Sequence, residues 1–292
     1  MDDLVNSETR VVVQGITGSM GSRHTETMLE YGTRIVAGVR PGAEGQEVHG
    51  VPVYNTVKTA VEKHDANTSI LFVPPTAVKQ GAIEAITAGI KLLVLVSEHI
   101  PIQDTMELLE HARMHGARII GPNTAGMIAP WERCKIGFVP NKYFIPGPIS
   151  AATRSGTLMY EIISRITLLG IGQSICVGAG GDSIVGTRFA ELLKIYEKDP
   201  KTELSILIGE VGGTQEEEAA ALVKSGAVVK PVLAYIAGRS APKGKRMGHA
   251  GALISGDTGT MESKLRAFAD AEVPVAKTPE ELIQMVNAKL RR

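Results

Sequence analysis

The chain has 292 residues, 43% of them hydrophobic and 21% charged, and its 31 basic and 31 acidic side chains cancel to a formal net charge of zero. Such a length holds two ordinary domains with a core each, and the charge balance argues against nonspecific nucleic-acid binding. Charged or turn residues interrupt every apolar stretch short of a membrane span, and the acidic start MDDLVNSETR has no signal-like apolar core, so the expectation is no membrane, no nucleic acid and a cytoplasmic protein, or a processed one of the mitochondrial matrix.

From the amino end, short apolar runs alternate with helical patterns. Val11 to Val13 reads as a buried strand, followed by a glycine-rich turn and a helix that stops at Gly32. Ile35 to Val39 is the next strand. VPVYNTVKTAVEKH gives a short strand and a helix capped near Asn55. Ile70 to Val73, Leu92 to Val96 and Arg118 to Ile120 are strands, with helices over Ala77 to Ala88 and Thr105 to His115 between them. Continuous apolar strands alternating with helices imply a parallel sheet covered on both faces. Residues 121–147 are rich in Gly and Pro without a clear period and read as a connector.

The alternation then restarts. Ile149 to Ala152 is a strand, and the helix of RSGTLMYEIISRITLLG places Leu158, Ile162, Ile166 and Leu169 on one face. Ser174 to Val177, Leu204 to Ile208 and Val232 to Ile236 are further strands. Thr214 with Glu217, and Thr278 with Pro279 and Glu281, have the spacing of capping boxes. The fold class is therefore α/β, in two consecutive domains.

Gly15, Gly18 and Gly21 lie between the first strand and its helix, where a doubly wound fold binds phosphates on helix amides. The spacing is GxxGxxG rather than the dinucleotide GxGxxG. Strand two ends in Arg40 rather than the acidic residue that binds an NAD ribose, which suits a phosphorylated ribose and leaves both NADP and coenzyme A open. TRSGTL offers Ser155, Gly156 and Thr157 at a helix start, and GAGGD offers Gly180 and Gly181 after the next strand. Neither is a Walker A loop, since no GKS or GKT closes the glycine run.

Among seven histidines, His249 stands apart, between Gly248 and Ala250 and after the basic Lys243, Lys245 and Arg246. Glu210, at a strand end in GEVGG, is placed to hold one ring nitrogen and leave the other nucleophilic. Cys134 and Cys176 form neither a CxxC pair nor a metal-ligand cluster and read as buried thiols.

QGITGS, GPNTAG, CKIG, SGTLMYE, EKDP, GEVGG, EEEAAA and above all APKGKRMGHAGA resemble, in order and spacing over nearly the whole chain, the alpha subunit of succinyl-CoA synthetase and its NDP-forming acid–thiol ligase relatives. The resemblance implies a Rossmann-like coenzyme A-binding domain over residues 1–122, a connector over 123–147, and a flavodoxin-like, doubly wound ligase domain over 148–292. It further implies that His249 is phosphorylated and Glu210 orients it. Thr17, Gly18, Ser19, Met20 and Arg40 would hold coenzyme A, with Val96, Ser97 and Glu98 as a second contact. Ser155, Gly156, Thr157, Gly180 and Gly181 would face phosphate, and Tyr160 the acid substrate. ATP or GTP with Mg2+ would bind an ATP-grasp beta subunit, and the product would be the acyl-CoA of a short carboxylic acid. The chain departs from the family pattern at Ala43, Thr124, Thr153, Ala179 and Ser183. These changes fall in loops expected to face the ligands, and they leave malate, citrate or another short anionic acid as alternatives to succinate; readings of another class are an NADP-dependent oxidoreductase and a non-catalytic coenzyme A-binding scaffold.

Overall fold

The structure, a computed structural model, describes residues 4–239, 248–254 and 259–290. The basic cluster at Lys243, Lys245 and Arg246 lies outside them. The first half of the chain runs β1 (Val11–Gln14), α1 (Ser19–Tyr31), β2 (Ile35–Val39), β3 (Glu47–Val48), β4 (Val51–Tyr54), α2 (Val57–His64), β5 (Thr68–Leu71), α3 (Pro75–Thr87), β6 (Leu92–Leu95), α4 (Ile102–Met114) and β7 (Arg118–Ile120). The strands form one sheet in the order β3-β4-β2-β1-β5-β6-β7, parallel except for the β3–β4 pair. Leaving the β3 edge aside, this is the doubly wound order whose direction of winding reverses beside β1, so the crevice at the strand ends opens between β1 and β5. Every residue of β1, β5 and β6 is buried, as strands covered by helices on both faces must be.

The second half runs β8 (Gly126–Ala129), β9 (Cys134–Gly137), β10 (Pro146–Thr153), α5 (Gly156–Leu168), β11 (Gln173–Gly178), α6 (Phe189–Lys198), β12 (Leu204–Glu210), α7 (Gln215–Lys224), β13 (Val232–Ala237), α8 (Met261–Asp270), β14 (Val275–Ala276) and α9 (Pro279–Leu290). Its sheet order is β14-β13-β12-β10-β11-β8-β9. The five strands from β14 to β11 are parallel and have the flavodoxin-like order, while β8 and β9 add an antiparallel edge.

Several local expectations are corrected. The stretch 123–147 is not wholly irregular, because β8 and β9 lie within it. Their crossing requires glycine: a Cβ on Gly126 would sit 2.0 Å from the Ile136 carbonyl oxygen, and one on Gly137 would sit 2.2 Å from that of Ala125. The buried stripe of α5 is Met159, Ile162, Ile163 and Ile166. Leu158 is only partly covered, and Leu169 caps the helix beyond the edge of the core and is 38% exposed. The expected cap near Asn55 does form on α2: it is the adjacent Thr56, and Thr56 Oγ1 accepts from the Thr59 amide at 3.2 Å.

The Thr214–Glu217 box does not form. Thr214 donates to Glu218 and accepts from Arg188, while Glu217 accepts from Lys264 and Ser263, because charge partners across the α7–α8 interface outcompete the local cap. At Thr278 the cap does form, with Oγ1 accepting from the Glu281 amide at 3.1 Å. The Glu281 carboxylate, however, accepts from the amide of Lys277 rather than that of Thr278. Helices α6 and α8 and the two-residue strands β3 and β14 have no counterpart in the sequence reading.

Candidate active site

Two loop clusters at the strand ends gather the residues of interest. The first surrounds the turn after β1. Gly15 has φ +77°, and a Cβ there would lie 2.4 Å from the Phe72 carbonyl oxygen. A Cβ on Gly21 would lie 2.1 Å from the Gly15 carbonyl oxygen, so the wide glycine spacing lets α1 fold back against its own turn. Gly18 caps α1 without a side-chain hydrogen bond, so among the described residues no side chain caps the opening amides of the helix. Thr17 Oγ1 accepts from Arg40 Nη1 at 2.8 Å, closing one wall. A cavity of about 380 Å³ is lined by Gly15, Thr17, Gly18, Arg40, Phe72 and Pro74, among others. A second cavity, of about 320 Å³, adjoins it and is lined by Ser19, Met20, Val96 and Ser97 as well as Gly18, Phe72 and Pro74. Ser97 Oγ donates to the Val73 carbonyl at 2.5 Å. Glu98 lies outside that lining: its exposed carboxylate is 3.5 Å from the His99 imidazole.

The second cluster lies where β10, β11 and β12 end side by side, with Thr153 in register with both Gly178 and Ile208. Glu210 closes β12 and is buried. His249 Nδ1 lies 3.0 and 3.1 Å from the two oxygens of the Glu210 carboxylate. A neutral ring in this geometry keeps its proton on Nδ1, donates it to Glu210, and leaves the Nε2 lone pair free. The hydrogen bond that His249 donates to Glu210 raises the His249 pKa above the ordinary imidazole value, against the opposing effects of burial and of the Arg154 charge. Gly181 passes under the ring so closely that a Cβ would sit 2.7 Å from His249 Cγ. The Gly251 amide donates to the Gly181 carbonyl at 2.9 Å and Ser183 Oγ to the Ala250 carbonyl at 2.9 Å, fastening the segment, and the Ala252 amide donates within it to the His249 carbonyl at 3.1 Å. Gly180, with φ +113°, takes the sharp turn against the Pro122 carbonyl.

Ser155, Gly156 and Thr157 open α5 at this same edge, and Ser155 Oγ accepts from the Leu158 amide at 3.5 Å. They join His249 through the preceding residue, Arg154, whose Nη2 donates to the Gly251 carbonyl at 3.0 Å and approaches Glu210 Oε1 to 3.3 Å. Tyr160 is one turn further along. Its hydroxyl is buried with no hydrogen-bond partner among the described residues, and burial pushes its pKa up to about 12. Cys134 and Cys176 are buried free thiols, with the Cys134 pKa pushed up to about 12 by burial and by the Glu132 charge.

Most departures from the family pattern are engaged in the fold. Thr124 is buried, accepts from the Gly126 amide at 2.9 Å and donates to the Gly178 carbonyl at 2.6 Å. Thr153 bonds both the amide and the carbonyl of Ser155, and Ala43 and Ala179 are buried. Ser183 faces the His249 segment. Arg154 is not among the site residues expected from the sequence, although an arginine among the small residues of TRSGTL is a visible signal. Glu216 and Lys264 look in the sequence like surface charges on amphipathic helices, and nothing in it signals the Asn123 Nδ2 to Asp182 bond of 3.1 Å that ties the 121–124 turn to the glycine loop.

Residues 6–99 match the family model for the CoA binding domain, and residues 152–273 that for CoA-ligase. The chain is 49% identical over 283 residues to succinate–CoA ligase [ADP-forming] subunit alpha 2 of Archaeoglobus fulgidus, covering 97% of this chain and 98% of that protein. It is 48% identical over 287 residues to the corresponding alpha subunit of Methanothermobacter thermautotrophicus, covering 98% and 97%. Among solved structures, ATP citrate lyase from Methanothrix soehngenii in complex with citrate and coenzyme A superimposes with a TM-score of 0.89 at 22% identity, a likeness of fold. All of this chain is covered there, and it spans about half (52%) of that one. With two family models along its length and near-complete alignment to alpha subunits at almost half identity, this chain belongs to the succinate–CoA ligase alpha-subunit family.

Proposed function

We propose that the protein works with an ATP-grasp beta subunit as an ADP-forming ligase that makes succinyl-CoA, and that His249 carries the phosphoryl group between the two substrates. The observation that carries this reading is the Glu210 carboxylate bonded to His249 Nδ1, which turns Nε2 into the reactive nitrogen. Nε2 attacks the terminal phosphorus of a nucleoside triphosphate held with Mg2+ on the partner. The N–P bond forms, the P–O bond breaks, and its electron pair leaves on the diphosphate. Glu210, bonded to the Nδ1 proton, stabilises the positive charge that the ring acquires. A succinate carboxylate oxygen then attacks the same phosphorus, the N–P bond breaks with its electrons returning to Nε2, and succinyl phosphate results. The start of α5 at Ser155–Thr157 provides positive potential at this edge for the phosphoryl oxygens.

Coenzyme A, when bound, supplies the thiol that takes the acyl group and releases phosphate. The residues of the first cluster fit it: glycines that let a ligand approach the backbone, α1 amides free of a side-chain cap, and Arg40 beside Thr17 for a phosphorylated ribose. Succinate is favoured over malate or citrate by the names of the relatives at 48–49% identity, and by the engagement of Thr124, Thr153 and Ala179 in the fold.

The test is to incubate the chain and its partner with ATP labelled in the terminal phosphate. The expected result is an acid-labile, alkali-stable label that is absent from His249→Ala and is discharged by succinate plus coenzyme A as succinyl-CoA. Equal labelling of His249→Ala would remove His249 from the reaction. Faster discharge by malate or citrate would replace the substrate.

A further inference from the structure

Behind Glu210 lies a buried ion cluster that the steps above leave unused. Arg154 follows β10, and its side chain is 2% exposed. Its Nη1 donates to the carbonyls of Glu210 at 3.1 Å and Gly212 at 2.7 Å and reaches Glu216 Oε1 at 3.4 Å. Its Nη2 takes the Gly251 carbonyl, two residues past His249. Glu216 also accepts from the Glu210 amide at 3.1 Å and pairs with Lys264, and the side chains of both Glu216 and Lys264 are fully buried. Lys264 donates further to the Gly213 carbonyl at 3.0 Å and to Glu217 at 2.8 Å. One guanidinium thus touches both the segment that presents the carboxylate and the segment that presents the imidazole. Its Nε is buried without a partner among the described residues, which simple stabilisation would not select.

We propose that Arg154, held from behind by Glu216 and Lys264, is a positioning residue that fixes Glu210 and the His249 segment as one unit. The inference rests on His249 being the phospho-acceptor, but its primary test does not require turnover. Lysine cannot reproduce the arrangement, since a single ammonium lacks the planar fork that spans oxygens of Glu210, Gly212, Glu216 and Gly251 in different directions.

Among the described residues, the charges facing His249 are Glu210 and Asp182, which favour the imidazolium, and Arg154, which opposes it. Removing the arginine charge leaves Glu210 free to hold the ring proton more tightly, so the His249 pKa rises. Removing the Glu216 charge leaves Arg154 to neutralise Glu210 more fully, so the His249 pKa falls. A generic loss of packing gives no such opposition of sign.

The experiment follows the ring nitrogens of His249 by NMR against pH in the full chain, for wild type, Arg154→Gln, Arg154→Lys and Glu216→Gln, with circular dichroism to establish folding. Expected are a proton on Nδ1 in neutral wild type, an upward shift in Arg154→Gln, a downward shift in Glu216→Gln, and loss of the fixed tautomer in Arg154→Lys. If Arg154→Gln does not fold, the other two variants carry the test. Folded variants with unchanged tautomer and pKa, or shifts of the same sign, overturn the proposal. With the partner added, Arg154→Lys is expected to slow His249 phosphorylation roughly 10- to 100-fold with the KM for ATP unchanged. A wild-type chain that shows the NMR behaviour without being phosphorylated would count against the phospho-acceptor reading and not against the positioning.

Discussion

The two clusters are built on the same geometric plan, loops at the ends of parallel strands, but with opposite materials. The first is an open backbone cradle: its glycines remove side chains, Arg40 is exposed, and two adjoining cavities lead into it. The second is filled with charge, with Arg154, Glu210, Glu216 and Lys264 packed beneath a single imidazole. A site that must admit and release a large ligand is best made of backbone amides, which bind anions without having to be ordered each turnover. A site that must hold one ring nitrogen in one protonation state needs fixed charges, and those are stable in the interior only when paired on every side. The contrast implies that substitutions in each cluster impair a different half-reaction.

The sharpest way to break this division is Gly181→Ala. The added methyl collides with the His249 ring. A loss of at least about 10²-fold in His249 phosphorylation is expected, with coenzyme A affinity unchanged by calorimetry. Next comes Glu210→Gln, expected to slow phosphorylation by about 10²-fold. The attacking ring must be neutral at Nε2, so the rate falls as pH drops through the His249 pKa. Glu210 is the main cause that raises that pKa, so its removal moves the acid limb of the pH–rate profile to lower pH. A limb that stays in place or moves upward would show that Glu210 does not govern the ring.

In the first cluster, Gly15→Ala meets both a positive φ and the Phe72 carbonyl. It is expected to cost roughly 1–3 kcal/mol in denaturant unfolding and to weaken coenzyme A binding, with phosphorylation of His249 by ATP near wild type. The smallest expected effect is that of Arg40→Ala, about a tenfold rise in the KM for coenzyme A that shrinks at high salt, since the side chain is exposed. Phosphorylation defects in the two first-cluster variants as large as those of the second would erase the distinction.

The alternation of apolar runs was enough to read two parallel sheets, because burial on both faces leaves an unbroken hydrophobic signature. The edges were not legible. β8 and β9 are four residues each, flanked by Gly and Pro, and their pairing is set by close contact of Gly126 with Gly137 rather than by any side-chain period. The Thr214 cap failed for a similar reason: its spacing was right, but Arg188 and Lys264, remote in sequence, claimed the partners. Of the candidate site, His249 and Glu210 stood out because both interrupt glycine-rich text, Glu210 at the end of β12 and His249 in the segment between β13 and α8. Glu216 and Lys264 did not, since a buried ion pair on two helices has the same spelling as two solvated faces.

The edge strand β9 does more than widen the second sheet. The Lys135 backbone exchanges hydrogen bonds with Thr33 just after α1, its Nζ donates to Thr27 within α1 at 3.0 Å, and the Gly137 amide lies 3.4 Å from Met28 Sδ. Burial lowers the Lys135 pKa to about 8, yet the side chain is retained there as a strut. The helix whose first turn would cradle one substrate is therefore bolted to the sheet whose strand β12 ends in Glu210. On the proposed reaction, the span between thiol and acyl group would be a ruled distance rather than a hinge to be searched, and what would have to travel is the cargo.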